Sequence, residues 1–147
     1  MREPTKTVFA VVRRRATDVF YKKLPIPKVH PDIISFLSLI TTVLFLIVLK
    51  YSKPWALFLI FLTLFLDGLD GFIARKFNLK SKHGYWVDLF TDRLSEGIMF
   101  FPFLNPWFYL FLVNTIIAFL GIPAKKHLVL PLRFIFAFYF LIWEVIR

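Results

Sequence analysis

Two pairs of aspartates lie near the middle of this 147-residue chain, separated by a short basic loop. Asp67 and Asp70 follow an apolar run, residues 54–66, that carries no charge, and Asp88 and Asp92 lie beyond the loop. Carboxylates in apolar surroundings are costly and repel one another, so they indicate a bound cation or a functional site. Ligation by oxygen alone is typical of Mg²⁺ or Mn²⁺, ions that usually serve substrate phosphates. The residue types therefore indicate either metal-assisted phosphate chemistry or a pathway for cations or protons.

The spacing of the aspartates places each pair on one face of a helix. The first face consists of Asp67, Asp70, Gly71, Ala74 and Arg75. The second face consists of Gly84, Asp88 and Asp92. Because the connection between these helices is short, we expect antiparallel neighbours whose four carboxylates converge at one end. Small residues on these faces, together with Gly68, would let a ligand or a neighbouring backbone approach closely.

The composition predicts that these helices lie in lipid. Apolar residues make up 59% of the chain, including 20 Phe, whereas a soluble domain has about 45–50%. The net charge of +10 comes in short runs between apolar stretches, a pattern that favours an anionic membrane surface over nucleic acid as the partner. The absence of Cys excludes disulfides and thiolate metal sites. Arginines interrupt the only N-terminal apolar stretch, so no signal peptide is predicted.

Five apolar segments have about the length that a bilayer-spanning helix needs, roughly 17–25 residues. They are Ile33–Leu49, Pro54–Ala74, Tyr85–Phe103, Pro106–Pro123 and Leu128–Ile146. Before them, residues 7–20 show apolar positions at helical spacing among arginines, which predicts an amphipathic helix on the membrane surface. The predicted fold is an all-α, polytopic membrane helix bundle, with an N-terminal segment (1–29) and a transmembrane domain (30–147).

Basic residues indicate how the bundle is oriented. Lys and Arg concentrate in the N-terminal segment, in the loop after the second apolar segment and after the fourth. Loops rich in Lys and Arg stay in the cytoplasm. We therefore expect a multi-pass protein of the cell membrane, with its N-terminus and its aspartates on the cytoplasmic side.

The aspartates belong to a longer pattern. Residues 67–92 fit D-x2-D-G-x2-A-R-x8-G-x3-D-x3-D at every fixed position. This stretch resembles the signature of the CDP-alcohol phosphatidyltransferase family. Residues 30–35, "HPDIIS", resemble the weaker motif at which this family enters its first span, with Asp32 where Asn is usual.

The resemblance implies an enzyme that moves a phosphoalcohol, such as a phosphatidyl or archaetidyl group, from a CDP-linked lipid to the hydroxyl of a small polar acceptor. CMP is released. It implies two Mg²⁺ or Mn²⁺ ions held by Asp67, Asp70, Asp88 and Asp92, with Asp92 also the general base. It assigns contacts with the CDP donor to Pro31, Asp32, Asp67, Gly71, Ala74, Arg75 and Ser81. No residue resembles a covalent nucleophile, so direct displacement is expected.

Other charged residues leave alternatives open. Lys125 and Lys126 either anchor the protein at the membrane surface or contact the acceptor. Arg133 lies inside an apolar segment and needs a partner, so it is a candidate for binding the phosphate of an acceptor such as inositol phosphate or glycerol phosphate. Arg93 and Glu96 either pair with each other or leave Arg93 to orient the carboxylates.

The sequence also leaves alternatives for the oligomeric state and for the number of spans. The family resemblance implies a homodimer, which we expect to pack through the third and fourth spans, with Gly97 at the contact. The family typically has six spans, so the sixth is either absent, supplied by a partner or outside this sequence. A transporter that uses the same aspartates is the alternative function, but it would need a path past the charge-free fourth segment.

Overall fold

The computed structural model describes residues 18–19, 21–22, 25–79, 81–103, 106–121 and 131–142. In these ranges the chain forms five named helices and no strand. They are α1 (Pro31–Leu49), α2 (Lys53–Lys76), α3 (Lys82–Phe100), α4 (Trp107–Gly121) and α5 (Leu132–Phe140). Residues 18–19 and 21–22 are also helical, but most of the predicted amphipathic helix lies outside the described residues. The all-α fold class is confirmed.

Local sequence signals account for where the helices begin. Both α1 and α2 carry a proline in the first turn, where the missing N–H has no intrahelical partner to lose. Helix α3 begins after Ser81, whose hydroxyl accepts a hydrogen bond from the N–H of Gly84 at 2.8 Å. Between α2 and α3, Asn78 adopts φ 55°, a left-handed conformation that asparagine tolerates.

The central helix is α1, which packs against both α2 and α3. The sequence predicted that α2 and α3 would be direct neighbours, but each makes its extensive contacts with α1 instead. The reason is a stripe of small hydroxyl residues buried on α1, which lets two helices approach it closely. This stripe consists of Ser35, Ser38, Thr41 and Thr42. Helix α4 packs against α3, and α5 packs against α2.

One end of the bundle, here called the aromatic end, is filled by interlocking rings. The Phe136 ring centroid lies 5.0 Å from Phe100, 5.1 Å from Phe103 and 5.2 Å from Trp107, each in an edge-to-face arrangement. Aromatic pairs prefer this geometry. The same core includes Phe45 from α1 and Phe140 from α5. The aspartates lie at the other end, here called the polar end.

The outer surface suits a lipid environment. Helices α1 and α2 are long and apolar enough to cross a membrane, and α4 is apolar but shorter. Large apolar side chains such as Ile40 and Phe58 are more than half exposed, as expected for residues that contact lipid tails. The number of helices that cross the membrane stays a prediction.

Candidate active site

Helix α1 holds the first pair of aspartates through two serine hydroxyls. The Ser38 hydroxyl donates to Asp67 Oδ1 at 2.6 Å, and the Ser35 hydroxyl donates to Asp70 Oδ2 at 2.7 Å. The second oxygen of Asp70 accepts the N–H of Gly71. Hydrogen bonds to an ionised carboxylate are among the stronger ones. They therefore fix the orientation of both carboxylates toward α1.

A guanidinium from α5 joins the two pairs. Arg133 contacts Asp67 Oδ2 through Nη1, and its Nη2 lies 3.1 Å from Asp92 Oδ1. Its Nη2 also donates to the backbone carbonyl of Asp92. The side chain is almost fully buried, at 5% exposure. Asp67 and Asp92, which belong to helices α2 and α3, are therefore linked through one arginine.

Asp88, the other aspartate of the second pair, lies beside this network. Asp88 is exposed, one helical turn before Asp92. Asp88, Asp92 and Glu96 all lie on α3 at intervals of four residues, so their carboxylates share one face of that helix. Arg93 Nη1 lies 2.7 Å from Glu96 Oε2, so the two residues pair, which was one of the alternatives left open by the sequence.

The donor set suits a hard divalent ion, because it consists of carboxylate oxygens. Within the described ranges, however, no three of the Asp, Glu and His side chains are arranged as a metal site. Two of the four expected ligands, Asp67 and Asp92, face the guanidinium of Arg133. Two of the four signature aspartates are thus arranged around an arginine.

Arg75 lies near the C-terminal end of α2 and contacts Asp18 of the N-terminal segment. Its Nη2 donates to Asp18 Oδ1 at 2.6 Å. An open depression of about 340 Å³ surrounds this pair, and its lining includes Lys22 and Lys76. A side chain added at Gly71 would lie 3.2 Å from Arg75 Nη1, so the glycine leaves room for the guanidinium. This basic depression could receive a phosphate group.

Tyr21 anchors the N-terminal segment to α2. Its hydroxyl donates to the backbone carbonyl of Phe65 at 2.7 Å. A Cβ added at Gly68 would lie 2.7 Å from the Tyr21 oxygen, so a larger residue would force the tyrosine ring to shift. Burial, with a further effect of the Asp70 charge, raises the pKa of Tyr21 to about 12. The sequence marked Gly68 as a point of close approach but did not identify Tyr21 as the residue that fills it.

The remaining predicted donor contacts lie at the starts of α1 and α3. Asp32 Oδ2 lies 3.5 Å from His30 Nδ1 and 4.0 Å from His83 Nε2. A Cβ added at Gly84 would lie 3.2 Å from Ser81 Oγ and 3.7 Å from Asp32 Oδ1. Asp32 and Ser81, which are far apart in sequence, therefore flank the same small residue.

The other five predicted residues have different outcomes. Pro31 is buried in the first turn of α1, and Ala74 is half-buried on α2. Lys125 and Lys126, the predicted acceptor contacts, lie outside the described residues. Gly97 faces the Phe111 ring of α4, where an added Cβ would lie 3.1 Å from Cζ. It is therefore used for packing within the chain, and a bulky replacement there would not report specifically on a dimer.

Sequence reasoning missed that Ser35 and Ser38 bond to the aspartates, and it did not identify the partners of Arg133. Ser35 and Ser38 lie in a charge-free segment, where a hydroxyl looks like an ordinary part of an apolar helix. The available signal was that small polar residues recur on one face of α1, at positions 35, 38 and 42. Such a stripe indicates a helix that packs closely and bonds to polar groups on its neighbours.

The fold and the site together define a helical membrane protein with a carboxylate-rich site at one end of its bundle. Residues 28–145 match the family model described as CDP-alcohol phosphatidyltransferase. Because this match covers most of the sequence, the chain belongs to the CDP-alcohol phosphatidyltransferase family, which confirms the resemblance seen in the aspartate signature.

Two curated relatives show which branch of the family the chain is similar to. It is 30% identical over 83 residues to CDP-diacylglycerol–inositol 3-phosphatidyltransferase of Candida albicans, a match that covers 55% of this chain and 36% of the relative. It is 31% identical over 78 residues to CDP-diacylglycerol–inositol 3-phosphatidyltransferase 1 of Arabidopsis thaliana, covering 53% and 34%. The matched region thus spans about a third of each relative. No solved structure matches the chain.

Proposed function

We propose that this protein transfers a phosphatidyl-type group from a CDP-linked lipid to a hydroxyl of a small polyol and releases CMP. The observation that carries the proposal is that signature aspartates from α2 and α3, Asp67 and Asp92, are bridged by the buried Arg133 at the polar end. The family match favours this transfer over ion transport. The named activity of the two relatives favours an acceptor of the inositol class, free or phosphorylated.

The donor would bind along the polar ends of α1, α2 and α3. Arg75, with Lys22 and Lys76 beside it, offers positive charge to the pyrophosphate. Asp32 and Ser81 flank Gly84 and would contact the CDP part. For Arg75 to reach a phosphate with its full charge, its ion pair with Asp18 has to loosen.

We assign the chemistry to the aspartates. Asp67, Asp70, Asp88 and Asp92 would hold two divalent ions, which, when bound, supply the charge neutralisation and in-line geometry that phosphoryl transfer requires. Asp92 would accept the proton of the acceptor hydroxyl. The serine hydroxyls of α1 keep Asp67 and Asp70 oriented.

The acceptor would enter between α3 and α5, where Arg133 lies. Arg133 is the residue through which the site could recognise an acceptor phosphate, with Lys125 and Lys126 as further candidates. In the present arrangement Arg133 is paired with Asp67 and Asp92. A phosphorylated acceptor would therefore compete with these aspartates for the guanidinium.

The proposal includes a homodimer in the membrane, with the active site on the cytoplasmic side and with α3 and α4 at the contact. The exposed apolar side chains of α4, such as Tyr109 and Ile116, support this surface. Single cysteines introduced at these positions would report the contact by cross-linking, because the chain has no Cys of its own.

The decisive test is an assay of CMP release from CDP-diacylglycerol in mixed micelles with Mg²⁺ or Mn²⁺. The acceptor panel is inositol, inositol phosphate and glycerol phosphate. We expect CMP release that requires both metal and acceptor, strongest with one inositol compound. No release with any acceptor, together with no metal-dependent CDP binding, would contradict the proposal. Metal-dependent ion flux in proteoliposomes without nucleotide binding would favour transport.

A further inference from the structure

We propose that Arg133 is an internal cation that occupies the carboxylate site before a divalent ion binds, and that metal binding displaces it from Asp67 and Asp92. This inference rests on the proposed function, since a divalent ion is expected only if the aspartates act as ligands. It goes further by identifying a side chain of the protein itself that competes with the ion for the aspartates.

The guanidinium of Arg133 lies between carboxylates from two helices. Arg133 bridges Asp67 on α2 and Asp92 on α3, and its Nε lies 3.8 Å from Glu96 Oε1. It is buried, and it approaches from a third helix, α5. An arginine cannot lose its proton in a protein, so it remains a cation at any working pH.

A divalent ion and the guanidinium of Arg133 would compete for the same carboxylate oxygens. Asp67 Oδ1 accepts the Ser38 hydroxyl, and Asp67 Oδ2 contacts Arg133. Asp92 Oδ1 also faces Arg133. An ion coordinated by Asp67 Oδ2 or Asp92 Oδ1 would compete with the guanidinium for that oxygen, and two cations this close would repel each other strongly beside a buried side chain.

The arrangement of the other carboxylates also bears on where an ion can bind. Among the described residues no three carboxylates are grouped to hold an ion, although Asp70 lies on α2 with Asp67, and Asp88 lies on α3 one helical turn before Asp92. If the guanidinium withdraws, the same side chains lose the cation that separates Asp67 from Asp92, and an ion can take its place. Withdrawal also leaves one guanidinium available for a phosphate.

The test measures Mn²⁺ binding by electron paramagnetic resonance on the full chain in detergent, without nucleotide. We compare the wild type with Arg133→Gln, Arg133→Lys and the control Arg93→Gln, which removes the same charge from a residue paired with Glu96. Removing a close charge partner should change affinity by about tenfold or more. We expect Arg133→Gln to bind Mn²⁺ at least about tenfold more tightly than the wild type, and Arg93→Gln to change affinity much less.

The lysine variant protects the test against a folding defect. Lysine keeps the charge but lacks the planar fork that bridges two carboxylates, so we expect an intermediate rise in Mn²⁺ affinity. A second readout is melting temperature: relative to the wild type, Arg133→Gln should melt lower in EDTA and gain more from Mn²⁺.

Three outcomes separate the displacement from the proposed function. Unchanged or weaker Mn²⁺ affinity in both Arg133 variants would overturn the displacement, even if the wild type releases CMP. A wild type that binds Mn²⁺ but never releases CMP would contradict the proposed function, while tighter binding in the variants would still support displacement. No Mn²⁺ binding by any protein would overturn both.

Discussion

The polar end and the aromatic end of the bundle are built from the same helices but are held by different forces. At the polar end, few directional contacts fix each group: Ser38 holds Asp67, and Arg133 joins Asp67 to Asp92. At the aromatic end, Phe136 contacts several rings at once, and no single contact determines its place. The directional contacts at the polar end specify where each side chain lies, whereas the ring packing at the aromatic end buries apolar surface.

This division has an electrostatic reason. Four aspartates near one another in an apolar bundle oppose folding, because their desolvation and mutual repulsion are both unfavourable. Packing at the far end of the same helices offsets this effect, since close-packed aromatic residues stabilise without adding charge. Changes at the polar end should therefore alter binding and turnover, and changes at the aromatic end should alter stability.

The largest expected effect is on turnover. Asp92→Asn removes the proposed base, and we expect CMP release to fall by about 10²–10⁴-fold. Binding of the CDP-linked donor, measured by calorimetry, should be largely retained. The comparison variant Asp70→Asn should weaken metal and donor binding together. Near-normal turnover in Asp92→Asn would show that another group accepts the proton.

The next effect is on stability at the aromatic end. Phe136→Ala empties the centre of the ring cluster and should lower the free energy of unfolding by about 3–5 kcal/mol. The matched control is Phe138→Ala on the same helix, because Phe138 is 60% exposed and should change stability far less. Thermal melting in detergent measures both. Equal losses for the two variants would mean that the ring cluster is not the stabilising core.

A smaller effect concerns the hydroxyl that orients Asp67. Ser38→Ala removes a hydrogen bond to a charged group, which contributes about 1.5–3 kcal/mol, and should weaken Mn²⁺ binding measured as above. Thr63→Val is the control, because the buried Thr63 hydroxyl donates only to the carbonyl of Leu59 within its own helix, at 3.0 Å. If both variants weaken Mn²⁺ binding alike, the loss reflects general packing and not the orientation of Asp67.

The smallest effect concerns the docking of the N-terminal segment. Tyr21→Phe removes the hydrogen bond to Phe65 and should reduce stability by about 1 kcal/mol. The pKa of Tyr21 is raised to about 12 in the fold, above its ordinary value of about 10. Its stabilising contribution is therefore complete below about pH 10 and is lost as the pH rises through about 12.

The pH profile supplies the check on this contact. Melting temperatures from pH 9 to 12 (roughly the window given by the two pKa values) should fall more steeply for the wild type than for Tyr21→Phe. Gly68→Ala, which places a Cβ against the Tyr21 oxygen, should lower the melting temperature as well. Parallel profiles for the wild type and Tyr21→Phe would mean that the tyrosine does not anchor the segment.

The sequence by itself determined the helical class, the apolar segments and the family signature. Helical spacing placed Asp67 and Asp70 on one face and Asp88 and Asp92 on another, and the structure has these residues on α2 and α3. These inferences succeed because periodicity and turn residues act within one helix. They require no knowledge of which helix lies opposite.

Only the tertiary structure decided which helices meet. It placed α1 against both α2 and α3. It also paired Ser38 with Asp67 and Arg133 with two aspartates. The Tyr21 ring lies against Gly68. A helical face records that a residue is turned inward but not which partner it meets, because that depends on the distances and crossing angles of whole helices. The buried Arg133 shows this most clearly. The sequence indicated that this arginine needs a partner, but it did not identify Asp67 and Asp92 as the partners.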